Sequence, residues 1–86
     1  MIRVSFVKTE PNFNLALTFS NGEHRRFDMG PYLHLPVFRP LENPVFFALA
    51  QVDYGTVVWP GEIDIAPETL YDRSVPLKEK RGRVGS

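Results

Sequence analysis

The sequence predicts an α+β fold: a small, twisted, mainly antiparallel sheet of four to five strands with one or two short helices packed on one face. Three observations support this class. Several runs alternate apolar and polar residues with the two-residue period of a strand. Turn residues, including eight prolines and six glycines, separate these runs at short intervals. Only two stretches, near residues 44–50 and 67–73, fit a short helix.

The 86 residues predict a single domain over residues 1–75, followed by a basic, flexible C-terminal tail over residues 76–86. The hydrophobic share of 43% and the aromatic share of 13% are enough for a packed core and argue against a disordered chain. The absence of cysteine excludes disulfides and thiolate chemistry, which favours a cytoplasmic location. No apolar run is long enough to span a membrane, and no signal-peptide pattern opens the chain.

Charge is unevenly distributed although the formal net charge is +0. Residues 78–86 contain four basic residues and one acidic residue, which leaves residues 1–77 with six basic and nine acidic residues. The body is therefore net negative, so we expect it to repel nucleic acid. The basic residues of the tail are the candidates for contact with a partner, with a solvated terminus as the simpler interpretation: Lys78, Lys80, Arg81 and Arg83.

The first half of the chain predicts three antiparallel strands. Ile2, Val4 and Phe6 share one face of the first strand. Leu15, Leu17 and Phe19 form the apolar face of the second, and the third runs from Glu23 to Asp28. A two-residue Asn-Gly loop would place the third strand's phenylalanine on the wrong face. A three-residue loop keeps Phe27 opposite Leu15, so we favour that register.

The second half predicts a proline-rich segment that forms either a turn of helix or an irregular crossover, then a short helix, further strands and a last helix. Asn43 as N-cap and Pro44 at the first helical position predict a helix start, with Val45, Phe46, Leu49 and Ala50 on one side. Residues 51–54 and 56–59 form two strands joined near Gly55, and residues 62–65 extend again. Residues 67–73 then fit a helix, with Pro67 in its first turn.

The stretch from residue 59 to residue 71 is the densest in large apolar and acidic residues, and we expect it to close the core. Trp59, Ile63, Ile65 and Leu70 should point inward, while Asp64 should cap the last helix. Asp28 should tie the turn that follows the third strand. The residues to which we assign this structural role are Asp28, Trp59, Pro60, Asp64, Pro67, Leu70 and Tyr71.

No catalytic, metal or cofactor site is predicted. His24 and His34 lack metal-ligand spacing and are interpreted as surface residues. No serine lies in a nucleophile elbow, and no glycine-rich run has the spacing of a nucleotide-binding loop. Asp28, Asp53, Asp64 and Asp72 are the carboxylates that acid–base chemistry would require, but turn and cap roles are commoner for such residues.

Four segments together resemble the small bacterial domain-of-unknown-function family DUF 2442: Leu15-x-Leu17-x-Phe19-x-x-Gly22-Glu23, Phe27-Asp28, Leu41-x-x-Pro44-x-Phe46-Phe47, and the run from Val58-Trp59-Pro60-Gly61 through Asp64-Ile65-Ala66-Pro67 to Thr69-Leu70-Tyr71. The resemblance covers about residues 2–74. It implies an α+β fold without an assigned activity. It also implies genes that stand beside another small uncharacterised protein, which invites a toxin–antitoxin interpretation.

The leading functional hypothesis is a non-enzymatic protein-interaction module of the bacterial cytoplasm, antitoxin-like or regulatory. Its partner would be another protein, encoded for example by an adjacent gene, and the edges of a short open sheet also make a homo-oligomer plausible. The alternative is a small ligand-binding domain or enzyme with a carboxylate-lined cleft near Trp59, using Asp28, Asp64 and Tyr71. A third hypothesis, weak nucleic-acid binding through the tail, predicts steep salt dependence.

Overall fold

A computed structural model describes residues 1–77, and the predicted contacts at Lys78, Lys80, Arg81 and Arg83 lie outside them. The described residues form seven strands and two short α-helices, which confirms the α+β class with mainly antiparallel strands. Two 3₁₀ segments, Gly30–Tyr32 and Pro36–Glu42, make the crossover. The elements are β1 Val4–Glu10, β2 Asn14–Phe19, β3 His24–Asp28, α1 Pro44–Phe47, β4 Gln51–Asp53, β5 Thr56–Trp59, β6 Ile63–Ile65, α2 Pro67–Asp72 and β7 Val75–Pro76.

The first sheet has the strand order β1-β2-β3-β7, and every neighbouring pair is antiparallel. Leu15 pairs with Phe27, as the preferred register predicts. The Phe19 amide donates to the Glu23 carbonyl at 2.9 Å, so the β2–β3 loop has three residues. Gly22 adopts a φ of 89° in this loop, a conformation that a side chain would disfavour. The apolar face of β2 thus fixes the hairpin register.

A β-bulge in β1 changes which residues of that strand face the core. Val4 pairs with Phe19 while Phe6 already pairs with Thr18, so β1 contains one residue more than β2 over this interval. The alternation shifts by one residue at that point. Val7 consequently packs against the core, and Phe6 has an exposed fraction of 56%. The prediction that Phe6 shares the inward face of Val4 was wrong for this reason.

The second sheet has the order β4-β5-β6 and packs its inner face onto the same core. Trp59 pairs with Ile63 and Val57 with Ile65, and all four side chains are buried. The Val4 amide donates to the carbonyl of Gly55, in the β4–β5 turn, at 2.9 Å. The start of β1 is therefore bonded directly to the second sheet.

Helix α1 begins as predicted but buries a different face. Asn43 accepts the Val45 amide through Oδ1 at 2.9 Å, and Pro44 occupies the first turn. The helix ends at Phe47, so a 3.6-residue period cannot place the residues after it. Phe47 is the buried residue, whereas Val45 and Leu49 have exposed fractions of 76% and 50%. The prediction that Val45 and Leu49 lie on the packed side was therefore wrong.

Helix α2 begins with Pro67 in its first turn, as predicted, but without the predicted cap. Ala66 occupies the N-cap position, and no side chain there accepts a helix amide. Asp64 lies within β6 between two buried isoleucines, so strand alternation directs its side chain outward. The role of Asp64 as a helix cap was therefore wrong. Leu70, predicted to be inward, is fully buried.

One hydrophobic cluster joins both sheets, the crossover and both helices. The four residues predicted to point inward from the stretch 59–71 all belong to it. The buried hydrophobic members are Val4, Leu15, Leu17, Phe19, Phe27, Met29, Phe38, Leu41, Phe47, Val57, Trp59, Ile63, Ile65 and Leu70. The outer face of the second sheet stays open to solvent, and the candidate site lies there.

Candidate functional site: an acidic groove on the second sheet

A groove of about 500 Å³ lies on the outer face of the β4-β5-β6 sheet. Its lining combines apolar and acidic side chains from the three strands and their two turns. The lining residues are Gln51, Asp53, Tyr54, Val58, Trp59, Pro60, Gly61, Glu62, Ile63 and Asp64. A volume of this size is within the range of binding sites in proteins.

Strand pairing explains how the floor of the groove is built. Gln51 in β4 pairs with Val58 in β5, and Val58 pairs with Asp64 in β6. Directly opposed residues of antiparallel strands project on the same side of a sheet. These three residues therefore form one outward row, with the half-buried Val58 at its centre. The apolar partners of the neighbouring row face the core instead.

The two turns that border the groove each contain a non-glycine residue in the left-handed region. Tyr54 has a φ of 55° in the β4–β5 turn, and Glu62 has a φ of 63° in the β5–β6 turn. Such a conformation is unfavourable for most L-residues. The Tyr54 amide donates to Asp53 Oδ1 at 3.0 Å, and the exposed fraction of Tyr54 is 91%. An aromatic ring is thus held at the rim of the groove with little burial of its own.

All charged residues that line the groove are acidic, namely Asp53, Glu62 and Asp64. Within residues 1–77, no group of three or more His, Cys, Asp or Glu side chains is arranged to hold a metal ion. The three carboxylates therefore line the groove without converging on one point. Their arrangement suits contact with an extended cationic surface better than ligation of a single ion.

Trp59 supports the groove from beneath and is not available as an open stacking surface. Its exposed fraction is 2%, and the indole Nε1–H donates to the Phe47 carbonyl at 2.9 Å. The centres of the Trp59 and Phe47 rings lie 6.0 Å apart, and the Phe13 ring packs edge-on against Phe47 with the ring centres 5.3 Å apart. Trp59 therefore joins the second sheet to α1 and to the β1–β2 turn, in keeping with the structural role predicted for it.

Of the three residues that the sequence suggested for a cleft beside Trp59, only Asp64 lines the groove. Asp28 lies at the end of β3, where Oδ1 accepts the Gly30 amide at 2.8 Å. This bond ties the turn, as predicted for Asp28. Tyr71 belongs to a separate cluster beside the first sheet. The structure therefore does not assemble the predicted triad.

The Tyr71 cluster connects α2 and the segment after it to β3. The Tyr71 hydroxyl donates to Glu23 Oε2 at 2.7 Å, and the Arg25 guanidinium lies 4.6 Å from the centre of the Tyr71 ring. Arg25 also donates to Glu23 Oε1 at 2.8 Å, to Ser74 Oγ at 2.6 Å and to the Ser74 carbonyl at 2.8 Å. The guanidinium of Arg25, in β3, thus bonds both to Glu23, just before that strand, and to Ser74, in the segment that leads into β7.

The same contacts shift two pKa values in opposite directions. Hydrogen bonds from Tyr71 and then from Arg25 lower the pKa of Glu23 below its ordinary value. The bond to the Glu23 carboxylate raises the pKa of Tyr71, because it favours the protonated phenol. Both side chains are hydrogen-bonded within the fold, so we interpret this cluster as a structural link rather than as a reactive site.

Sequence reasoning noticed Asp53 but missed Tyr54 and Glu62. A signal for Tyr54 was present: it precedes Gly55 in a two-residue hairpin turn, a position normally occupied by asparagine or aspartate. A large aromatic residue at such a turn contradicts local preference, and such contradictions concentrate at functional positions. Glu62 also has a positive φ, at the last position of the three-residue β5–β6 turn, directly after Gly61.

Both histidines are exposed, which agrees with their interpretation as surface residues. His24 Nδ1 lies 3.0 Å from Thr18 Oγ1 on the outer face of the first sheet. No helix within residues 1–77 has the length and apolar character needed to cross a membrane.

Comparison with known proteins gave one match. No curated protein and no solved structure matches the chain. A family model described as "Protein of unknown function (DUF2442)" matches residues 4–76, which includes every strand and helix of the fold. The chain therefore belongs to the DUF2442 family.

Proposed function

We propose that this protein is a non-enzymatic interaction module that binds another protein through the groove on its second sheet. The observation that carries the proposal is Tyr54, a residue that is 91% exposed at the rim of a partly apolar groove. Tyrosine is enriched at protein–protein interfaces because its ring supplies a rigid apolar area and its hydroxyl a polar contact.

The groove has the composition of a small docking surface. The half-buried Val58 supplies apolar contact, and the exposed Pro60 adds a rigid edge beside it. Around them lie carboxylates that would fix the orientation of a partner by charge. This mixture of an apolar centre and a polar rim is typical of transient interfaces.

In biological terms, the proposal is a regulatory or antitoxin-like partner protein of the bacterial cytoplasm. The motive is the resemblance to a family whose genes often stand beside a gene for another small uncharacterised protein. The product of such an adjacent gene is the first partner to test. A second copy of the chain is a further one, since open sheet edges favour association.

The test is co-expression of the tagged chain with the product of its adjacent gene, followed by co-purification. Tyr54→Ala and Asp64→Ala should each abolish or strongly reduce the complex while leaving the melting temperature unchanged, because both side chains are exposed and neither caps a helix. Asp72→Ala is the matched control: it removes an exposed carboxylate that does not line the groove. Capture that is equal for all three variants would refute the groove as the docking surface.

A second candidate is a small ligand-binding domain or enzyme that uses the groove carboxylates. The observation that favours it is the presence of Asp53, Glu62 and Asp64 in one cavity of about 500 Å³. It predicts a small molecule that raises the melting temperature of the native chain, with an effect lost in Asp64→Asn. It also predicts that the protein complex, if one forms, survives that substitution.

A further inference from the structure

None of the groove carboxylates forms an ion pair with a basic side chain of residues 1–77. The ion pairs within residues 1–77 are Arg25–Glu23, Arg26–Glu10 and Arg39–Glu42, and none of them involves a carboxylate of the groove. Asp53, Glu62 and Asp64 therefore contribute a negative potential to one concave surface. Such a surface raises the local concentration of cations and accelerates the encounter with a basic partner.

The chain itself shows how tyrosine and carboxylate side chains together bind an arginine. Arg25 lies 4.6 Å from the centre of the Tyr71 ring and at the same time donates to Glu23 at 2.8 Å. The planar guanidinium can stack on an aromatic face while its edge donates to a carboxylate. In this arrangement one arginine contacts the face of the Tyr71 ring and the Glu23 carboxylate at the same time.

The groove presents a tyrosine ring and a carboxylate, the two groups that bind Arg25 in the Tyr71 cluster, next to each other. Tyr54 and Asp53 are adjacent in sequence, and the Tyr54 amide donates to the Asp53 carboxylate at 3.0 Å. The ring is open to solvent, and both residues line the groove. The position that Arg25 occupies in the Tyr71 cluster has no counterpart among the described lining residues.

The spacing of the carboxylates indicates a longer contact than one side chain. Asp53 lies in β4 and Asp64 in β6, with β5 between them. Strands two places apart in a sheet are separated by roughly 9–10 Å. Asp53 pairs with Thr56 and Asp64 with Val58, so the two carboxylates are also offset by two residues along the strands and lie roughly 12 Å apart. An extended chain covers that distance in about four residues, and residues four apart face the same side. Two cations four positions apart in an extended segment would therefore reach both carboxylates.

We propose that the groove binds an arginine-containing basic segment of the partner protein, with one guanidinium on the Tyr54 ring and beside Asp53 and a second cation at Asp64. This inference rests on the proposed function and specifies the chemistry of the partner. Arginine is preferred over lysine at the first position, because only the guanidinium stacks and donates in a plane. The second position requires positive charge alone.

The probe is a fluorescein-labelled peptide with two Arg-Gly-Ser-Arg units, titrated with the full chain and followed by fluorescence anisotropy. Matched peptides replace arginine by lysine or by glutamate. Binding should follow the order arginine, lysine, glutamate and should weaken as salt is added. Tyr54→Ala should weaken binding of the arginine peptide by about fivefold and nearly equalise arginine and lysine. Asp64→Asn should weaken both basic peptides, and Asp72→Asn neither.

Four outcomes would overturn the inference, and they are distinguishable from failure of the proposed function. Equal binding of the arginine and glutamate peptides removes the charge argument. Unchanged affinity in Tyr54→Ala removes the stacking argument. No peptide binding, with loss of the co-purified partner in the groove variants, refutes the basic segment and leaves the docking groove standing. Peptide binding that appears only after replacement of four residues by glutamine makes the chain's own tail the occupant: Lys78, Lys80, Arg81 and Arg83.

Discussion

At the scale of single residues, Trp59 connects parts of the fold that are distant in sequence. Its ring is buried in the core, and its Nε1–H satisfies the carbonyl of Phe47 at the end of α1. The same carbonyl also accepts the Ala50 amide at 3.2 Å, so the indole supplies its second hydrogen bond. The side chain thus contributes both apolar area and a specific hydrogen bond.

Trp59→Ala should lower the free energy of unfolding by about 3–5 kcal/mol, because it leaves a large cavity and removes the hydrogen bond to the Phe47 carbonyl. Trp59→Phe should cost less, since it retains a ring and loses mainly the hydrogen bond to Phe47. Urea titrations followed by far-UV circular dichroism measure both values, as the only tryptophan is removed. Equal costs for the two variants would contradict the role assigned to the ring.

Glu23 gives the fold a dependence on acid. Its folded pKa is lowered by Tyr71 and Arg25, so its contribution is fully present above the ordinary carboxyl pKa and is lost as pH falls through the lowered pKa. Glu23→Gln should melt at a lower temperature than the native chain at neutral pH, and the difference should shrink as pH falls from neutral through the lowered pKa of Glu23. Thermal melts across this range measure the effect, and a constant difference would contradict it. Glu10→Gln is the control variant, because it removes a carboxylate that pairs with Arg26 instead.

At the scale of elements, the two helices show how far local sequence patterns reach. Asn43 and Pro44 predicted the start of α1 because capping depends only on neighbouring atoms. The buried face of that helix was mispredicted because one turn of helix has no sustained period. The supposed cap of α2 failed because Asp64 belongs to a strand whose alternation directs it outward.

Asn43→Ala should destabilise the fold by about 1 kcal/mol, because the Val45 amide loses its acceptor. Asn43→Asp should retain most of the stability, since aspartate can accept the same hydrogen bond. The midpoints of chemical denaturation at constant slope compare the three proteins. A loss of the same size in Asn43→Asp would show that the cap bond is not what the asparagine contributes.

The strands show the same division between local and distant information. The β2–β3 register followed from the faces of Leu15 and Phe27, which are both fully buried. The bulge at the start of β1 and the addition of β7 to the edge of β3 depend on long-range packing. Val75 and Pro76 are too short a segment to carry a periodic pattern, so that strand could not be predicted from sequence.

At the scale of the whole molecule, the two sheets share one core and should not unfold separately. The buried cluster runs from Leu15 and Phe27 of the first sheet to Val57 and Trp59 of the second. We therefore expect a single cooperative transition. Far-UV circular dichroism and Trp59 fluorescence should give the same midpoint, and separate midpoints would indicate two independent units.

The candidate site was only partly predictable, because a groove depends on which faces of distant strands remain open. Asp53 and Asp64 were visible as isolated carboxylates, but their placement in one cavity required the pairing of β4, β5 and β6. The predicted cleft of Asp28, Asp64 and Tyr71 beside Trp59 was not assembled, because Asp28 and Tyr71 lie at the first sheet and only Asp64 lines the groove. Chemistry-bearing residues were thus easier to recognise than to bring together.

The left-handed backbone at Tyr54 has a consequence for how this molecule would respond to selection. Asparagine or glycine at position 54 would relieve an unfavourable conformation worth roughly 1–2 kcal/mol. A laboratory search for heat resistance alone should therefore replace this tyrosine early, and the more durable proteins it yields should be the poorer binders. In such a search, substitutions at the rim of the groove would raise thermal stability and weaken partner binding.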